Sequence, residues 1–327
     1  MRLLDWVPQH VKRIFFRDQE VDSPVDQALA WLKSHELPDG GIRVHHRHRR
    51  AYPEVTGYLI PTLLDWGEDA LADRCGKWLA RIQNPDGSFS DPDQGIPHVF
   101  DTGQALRGLL ALHPEHPQLL PNMIAAGNYL LSQVQQNANG FSIQCEPHGI
   151  SETIQLYVLP PLRDLSNRTG SEKYACAADA CFQSYIVHEK LLSTASLTHF
   201  LAYEIEALID LGHPQKVNEI LHYLAGVQSP TGSIPARNGV SWFCNPGIAQ
   251  LAVCWYKVGR HAEADRALDF LKTQQRYSGG FLGSSGRGAA YFPRFEPSWA
   301  VKYFLDAEWW KRHCERSPKN LCSPTHV

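Results

Sequence analysis

One motif recurs along the chain and limits the folds open to it. An aromatic-Leu pair closes an amphipathic stretch and a Gly turn follows: WLKSHELPDGGI from Trp31, WLARIQNPDGSF from Trp78, YLLSQVQQNANGF from Tyr129, YLAGVQSPTGSI from Tyr223 and FLKTQQRYSGGF from Phe270. The intervals are 47 residues from Trp31 to Trp78, 51 to Tyr129, 94 to Tyr223 and 47 to Phe270. An interval of 94 holds two units, so a degenerate copy is expected between Cys181 and Ser196. Six units of about 47 residues fill the chain, and that period is the size of a helix pair with its connections.

The second helix of each unit opens after the Gly loop, in EVTGYLIPTLLDWG, DTGQALRGLLAL, SETIQLYVLPPLRDL, SLTHFLAYEIEALIDLG, NPGIAQLAVCWYKVG and PSWAVKYFLDAEWW. These stretches are apolar around most of their circumference, as helices enclosed by other helices must be. The first helices, such as DALADRCGKWLARIQ and EADRALDFLKTQQ, keep a polar stripe and belong outside. Glu54, Asp101, Ser151, Ser196 and Asn245 stand at or near the expected N-caps of the inner helices, and Pro246 and Pro297 suit a first turn, where a missing N–H is no loss. The expectation is an all-α chain: one α/α toroid of six helical hairpins, twelve main helices in inner and outer rings. The toroid should span residues 21–313, with an N-terminal extension over 1–20 and a C-terminal tail over 314–327.

Connections from inner to outer helices are short, whereas those from outer to inner are long: Pro38 to Pro53, Asn84 to Phe100, Asn137 to Ile150, Ser229 to Cys244 and Arg276 to Glu296. All the long loops therefore emerge at one end of the ring, over the N-termini of the inner helices. Loops of this length in a compact domain usually carry function, and converging helix N-termini favour anions. A net charge of −3 with 43% hydrophobic and 20% charged residues excludes disorder and a strongly basic nucleic-acid binder. Without a long uncharged apolar run or a secretory leader, the expectation is a cytoplasmic protein with no membrane span. Eight cysteines without a CxxC pair point to reduced thiols. Neither metal nor cofactor is expected.

The first long loop holds Arg43, Arg47, Arg49 and Arg50 with His45, His46 and His48 and no acid, a cationic patch suited to carboxylate or phosphate, or else a solvated loop making surface ion pairs. Tyr52, Glu54 and Tyr58 follow at the first inner helix. A Tyr and a Glu at a helix N-terminus facing cations suit proton transfer, the helix end and the arginines lowering the phenol's pKa; the plainer role for Glu54 is an N-cap. Later units place His98, Asp101 and Gln104, then Glu146, His148 and Glu152, then His199, Tyr203 and Glu204, and then Asn245 with Gln250 at the same height. For any one of these a cap or a bonded core group is the commoner fate; the recurrence from helix to helix exceeds what an apolar ring needs. His199 and Tyr203 are four residues apart and share a helix face. The last loops supply Arg237, Trp242, Arg287, Tyr291 and Arg294, aromatic platforms with arginines that fit a sugar acid, while Trp299 can equally fill the core.

With QNPDGSF, from Gln83 to Phe89, the chain resembles the α/α-toroid proteins typified by squalene-hopene cyclases and protein prenyltransferase β-subunits. The resemblance implies the fold. It departs from their chemistry, since a DxDD motif is absent and Asp179-Ala-Cys181 lacks the surrounding zinc-site loop. YPEVTGY, VFDTGQ, LTHFLAYE, NPGIAQLA and PSWAVKYF are similar to the prenyltransferase-like repeat proteins that accompany bacterial surface-polysaccharide synthesis. Similar toroids host uronate lyases, unsaturated glucuronyl hydrolases and glucuronyl C5 epimerases.

The functional expectation is an enzyme acting on an acidic sugar or uronate-containing glycan, free or lipid-linked, by proton abstraction at C5, as an epimerase or lyase. Arg43, Arg237 and Arg294 would neutralise the carboxylate; Tyr52, Glu54, His98, Asp101, His199 and Tyr203 are the catalytic candidates. Arg43, His45, His48, Tyr58, Gln104, His148, Glu152, Arg237, Trp242, Arg287, Tyr291 and Arg294 are the substrate-binding candidates. Two other readings compete: a terpene cyclase-like or polyprenyl-diphosphate-handling enzyme with a long apolar cavity, and a non-catalytic glycan-binding or assembly protein.

Overall fold

The helices of each unit pair as expected in the computed structural model, which describes residues 23–136, 141 and 151–316. In chain order, outer then inner, the pairs are α1 (Pro24–Ser34) with α2 (Pro53–Asp65), α3 (Asp69–Ile82) with α4 (Val99–Leu112), α5 (Leu120–Gln136) with α6 (Leu159–Thr169), α7 (Glu172–Tyr185) with α8 (Thr198–Asp210), α9 (Asn218–Val227) with α10 (Asn245–Lys257), and α11 (His261–Gln274) with α12 (Ser298–Arg316). Each inner helix packs on the next and α12 returns to α2, closing an α/α toroid. Burial follows the rings: in α10 every residue from Asn245 to Tyr256 is buried, whereas α3 buries one face only.

The repeated turn has one construction. Gln83 Nε2 donates to the Gly87 carbonyl within its own turn and to the Asn122 carbonyl at the start of α5. Gln228 does the same with Gly232 and Glu263, and Gln275 with Gly279 and Pro24. Three outer helices, α3, α9 and α11, are thereby fastened to the next, Gln275 fastening the last to the first. The degenerate unit lies where the spacing places it, over α7 and the loop to α8, and it lacks the Gln and Gly. There Leu192 adopts φ 56° in place of a glycine, its N–H held at 2.6 Å by Glu204 of α8.

Several boundaries depart from the sequence reading. The third inner helix opens as a 3-10 segment, Glu152–Val158, before α6, because Pro160 and Pro161 have no N–H to continue an α-helix from Ser151. Tyr52, His98, Leu197 and Cys244 are the N-caps of α2, α4, α8 and α10 and none caps through a side chain, so Glu54, Asp101 and Asn245 sit inside the first turn and Ser196 lies before it. Ser151 caps as expected, accepting from Thr153 N. α12 runs through Cys314, where the sequence reading starts the tail, to Arg316.

Among the described residues the strands are the two-residue pieces β1 (Phe243–Cys244) and β2 (Ser284–Ser285), antiparallel, which tie the loop before α10 to the loop before α12. The described cysteines are free thiols, all buried except Cys176; Cys145 and Cys322 lie outside the described residues. No helix among the described residues is long and apolar enough to cross a membrane.

Candidate active site

At the N-terminal end of the inner ring, aromatic rings from five inner elements meet. His199 and Tyr203 stack side by side with centroids 4.6 Å apart, on the shared face expected from their spacing. Tyr203 contacts Tyr157 at 4.7 Å and Phe100 at 5.2 Å; Tyr303 reaches both His199, at 5.6 Å, and Tyr203, at 6.0 Å. Tyr291, from the last loop, covers His199 and Phe200 and touches Trp299. Tyr58 lies 6.3 Å from Tyr303 and its hydroxyl is buried without a hydrogen-bond partner. Such a hydroxyl loses its water without compensation unless a ligand supplies a partner.

Glu54 is the charge-bearing group at the centre of these rings. Burial first, and the charge of Glu54 in addition, raises the pKa of Tyr58, Tyr203 and Tyr291, so its carboxyl lies within electrostatic reach of all three. Glu54 keeps some accessible surface although protein surrounds it. Removal from water pushes its pKa up to about 7, because burial penalises the carboxylate more than the acid. Asp101, buried in the first turn of α4, is raised well above the carboxylate range by burial and then by the charges of Glu54 and Asp91. Two carboxyls this close cannot both ionise cheaply, so the pair holds a proton at neutral pH.

Around this centre the rim is ionic. Tyr52 Oη donates to Asp93 Oδ2 at 2.5 Å, His48 Nε2 lies 3.2 Å from the same oxygen, and Arg50 reaches the Pro92 carbonyl and Asp93. The phenol of Tyr52 is therefore pushed up, by burial and by Asp93, the reverse of the lowering expected from its arginines. Asp91 accepts the backbone N–H groups of Asp93 and Gln94 and lies 3.7 Å from His98 Nε2.

The other candidates disperse. The Arg43 backbone N–H donates to the His35 carbonyl at 3.2 Å, and burial, with the Arg43 charge adding to it, depresses the His35 pKa. Arg237 is exposed in the loop before α10, and Arg287 and Arg294 are exposed in the loop before α12. His45 packs on Phe295 at 4.5 Å and is held at a pKa of about 4 by burial and by its charged neighbours His48, His46 and Arg47. His46 accepts from Glu296 N at 3.0 Å, and Ser298 Oγ donates to the Val44 carbonyl at 2.8 Å, so the His/Arg loop seams the first unit to the last. Glu152 pairs with His188 at 2.9 Å. Gln104 Oε1 accepts from Arg107 at 3.1 Å, deeper in the ring. Trp242 is buried beside β1, against Gly286. His148 and Glu146 lie outside the described residues.

Behind the aromatic layer runs a polar layer that the sequence reading passed over except for Gln250. His199 Nδ1 is 3.0 Å from Gln250 Oε1, and Gln250 Nε2 donates to Glu206 Oε2 at 2.9 Å. Lys257 clamps Glu206 Oε1 at 2.9 Å and Asp210 at 2.7 Å. Tyr157 Oη donates to Glu206 at 3.1 Å, and Lys302 stands 3.9 Å above the Tyr303 ring. The available signal was charge inside a mostly apolar stretch, Glu204 and Glu206 in FLAYEIEALI and Lys302 in PSWAVKYF.

Comparison of the sequence with protein-family models and with curated proteins finds no match. Solved structures do share the fold. A structure titled as an unsaturated glucuronyl hydrolase specific for heparin matches with a TM-score of 0.68 at 13% identity, over 92% of this chain and 98% of its own. An alpha-amylase from Clostridium perfringens matches at 0.66 and 14%, over 88% and 97%. A polysaccharide lyase matches at 0.61 and 12%, over 89% and 97%.

Proposed function

We propose that this protein is an enzyme acting on acidic glycans, and that the Glu54–Asp101 carboxyl pair supplies the proton that breaks a bond to sugar oxygen. The buried pair, at the mouth of a toroid and among tyrosines, carries the reading: a carboxyl with a pKa near 7 is a competent acid at neutral pH. Aromatic faces suit the apolar faces of sugar rings, and inner-helix N-termini suit a substrate carboxylate. The kinship in fold to a glucuronyl hydrolase, an amylase and a polysaccharide lyase supports the substrate class by analogy.

Two routes use this acid. In hydrolysis, the protonated carboxyl of the pair gives its proton to the leaving oxygen while the ionised one takes a proton from water. In elimination or epimerisation, a base removes the C5 proton of a uronate. The second route would use the imidazole of His199 beside Tyr203, which burial keeps neutral, its pKa pushed down to about 3.

The test is incubation in deuterated water with neutral and uronate-containing oligosaccharides. Reducing ends without unsaturation mark hydrolysis, ultraviolet absorbance marks elimination, and deuterium at C5 without cleavage marks epimerisation. No change in any glycan would overturn the reading.

A further inference from the structure

The polar layer behind the site determines which nitrogen of His199 is the base. We propose that His199 accepts the proton through Nε2, and that Gln250 and Glu206 are positioning residues that fix its tautomer from within the ring. This rests on the C5 route above.

The hydrogen-bond directions follow from Glu206. It is buried between Lys257 and Lys302, which hold its pKa at about 2, so it is an acceptor only. The Gln250 atom 2.9 Å from Glu206 Oε2 must then be the amide nitrogen, and the carbonyl oxygen is the one that faces His199 at 3.0 Å. A carbonyl accepts, so Nδ1 carries the hydrogen. A neutral imidazole has one N–H, which leaves the lone pair on Nε2.

Glu206 cannot turn to release this arrangement. Lys257 binds Oε1, while the Gln250 amide and the Tyr157 hydroxyl both bind Oε2. The groups around the imidazole are the rings of Phe200, Tyr203, Tyr291 and Tyr303, with Lys302 and Glu206 the charges that act on it. An amide at Nδ1 orients the ring without the strong pKa rise that a carboxylate there would bring, so the ring stays neutral with its lone pair on Nε2. In elimination the C5–H bond breaks and its proton goes to Nε2. The electron pair forms C4=C5, the C4–O bond breaks, and the leaving oxygen takes the Glu54 proton.

Nitrogen-15 NMR of the histidine-labelled protein reads the tautomer directly, the His199 signals being those lost in His199→Gln. The expected result is neutral imidazole protonated at Nδ1 from pH 5 to pH 8. In Gln250→Met, of similar volume, the Nδ1–H preference should be lost and kcat should fall by ~10²-fold with KM little changed, the pattern for a group felt only in the transition state. Wild-type His199 protonated at Nε2, or charged at pH 6, would overturn the proposal, as would an unchanged kcat in a folded Gln250→Met. The wild-type spectrum needs neither substrate nor substitution. It decides the relay even if every glycan is left unaltered, a result that fails the functional reading alone.

Discussion

Glu54 stands in the first turn of α2, where the helix dipole favours an anion, yet burial outweighs the dipole and raises its pKa to about 7. An acid that must be protonated to act loses activity above that pH. Glu54→Gln should lower kcat by ~10²- to 10⁴-fold and remove the alkaline limb of the pH–rate profile. The same shift has a stability consequence. Because the folded-state pKa exceeds the ordinary 4.5, the folded protein binds the proton more tightly than the unfolded chain, so this contribution is full below about pH 4.5 and is lost as pH rises to about 7. Asp101 acts in the same direction, whereas His199 and His45, held low, remove stability as pH falls below 6.5. The thermal midpoint should fall between pH 6 and pH 8, and less steeply in Glu54→Gln; equal slopes would contradict the shift. The pairing of His199 with Tyr203 was legible because both lie on one helix. The partner of Tyr52 was not, since Asp93 comes from another unit 41 residues away and a cationic loop does not reveal which acid it meets.

At the scale of elements, periodicity and Gly turns were enough to read the rings, because each hairpin repeats the same local conflict between an apolar helix and a half-polar one. What periodicity misses is how closely the inner helices approach. Pro61 cannot donate to the Gly57 carbonyl, and a methyl group added at Gly108 would sit 2.4 Å from that oxygen; one added at Gly57 would sit 2.4 Å from the Gln104 carbonyl. Gly57→Ala must push α2 from α4 and should cost ~1–3 kcal/mol, measured by denaturant unfolding. The Gln turns make a separate prediction. Gln275→Ala removes the bonds that fasten α11 to the start of α1 and should cost ~1–3 kcal/mol, with hydrogen exchange quickening first in α1. Uniform quickening over all helices would contradict a seam there.

For the whole molecule, ring closure brings into one cluster residues that lie far apart, with Glu54 and Tyr303 near opposite ends of the chain. The seam that closes it is the His/Arg loop against Glu296 and Ser298, which is why that loop is spent on structure and its arginines do not line the centre. The mouth consequently has carboxyls at its heart and cations on its rim, the reverse of a deep cationic cavity. The most direct measurement is a crystal structure of Glu54→Gln soaked with uronate oligosaccharides. A sugar ring among Tyr58, Tyr203 and Tyr291, with its scissile oxygen facing residue 54, is the predicted result. A sugar held only in the outer groove between Tyr223 and Arg237, with none among these tyrosines, would contradict it.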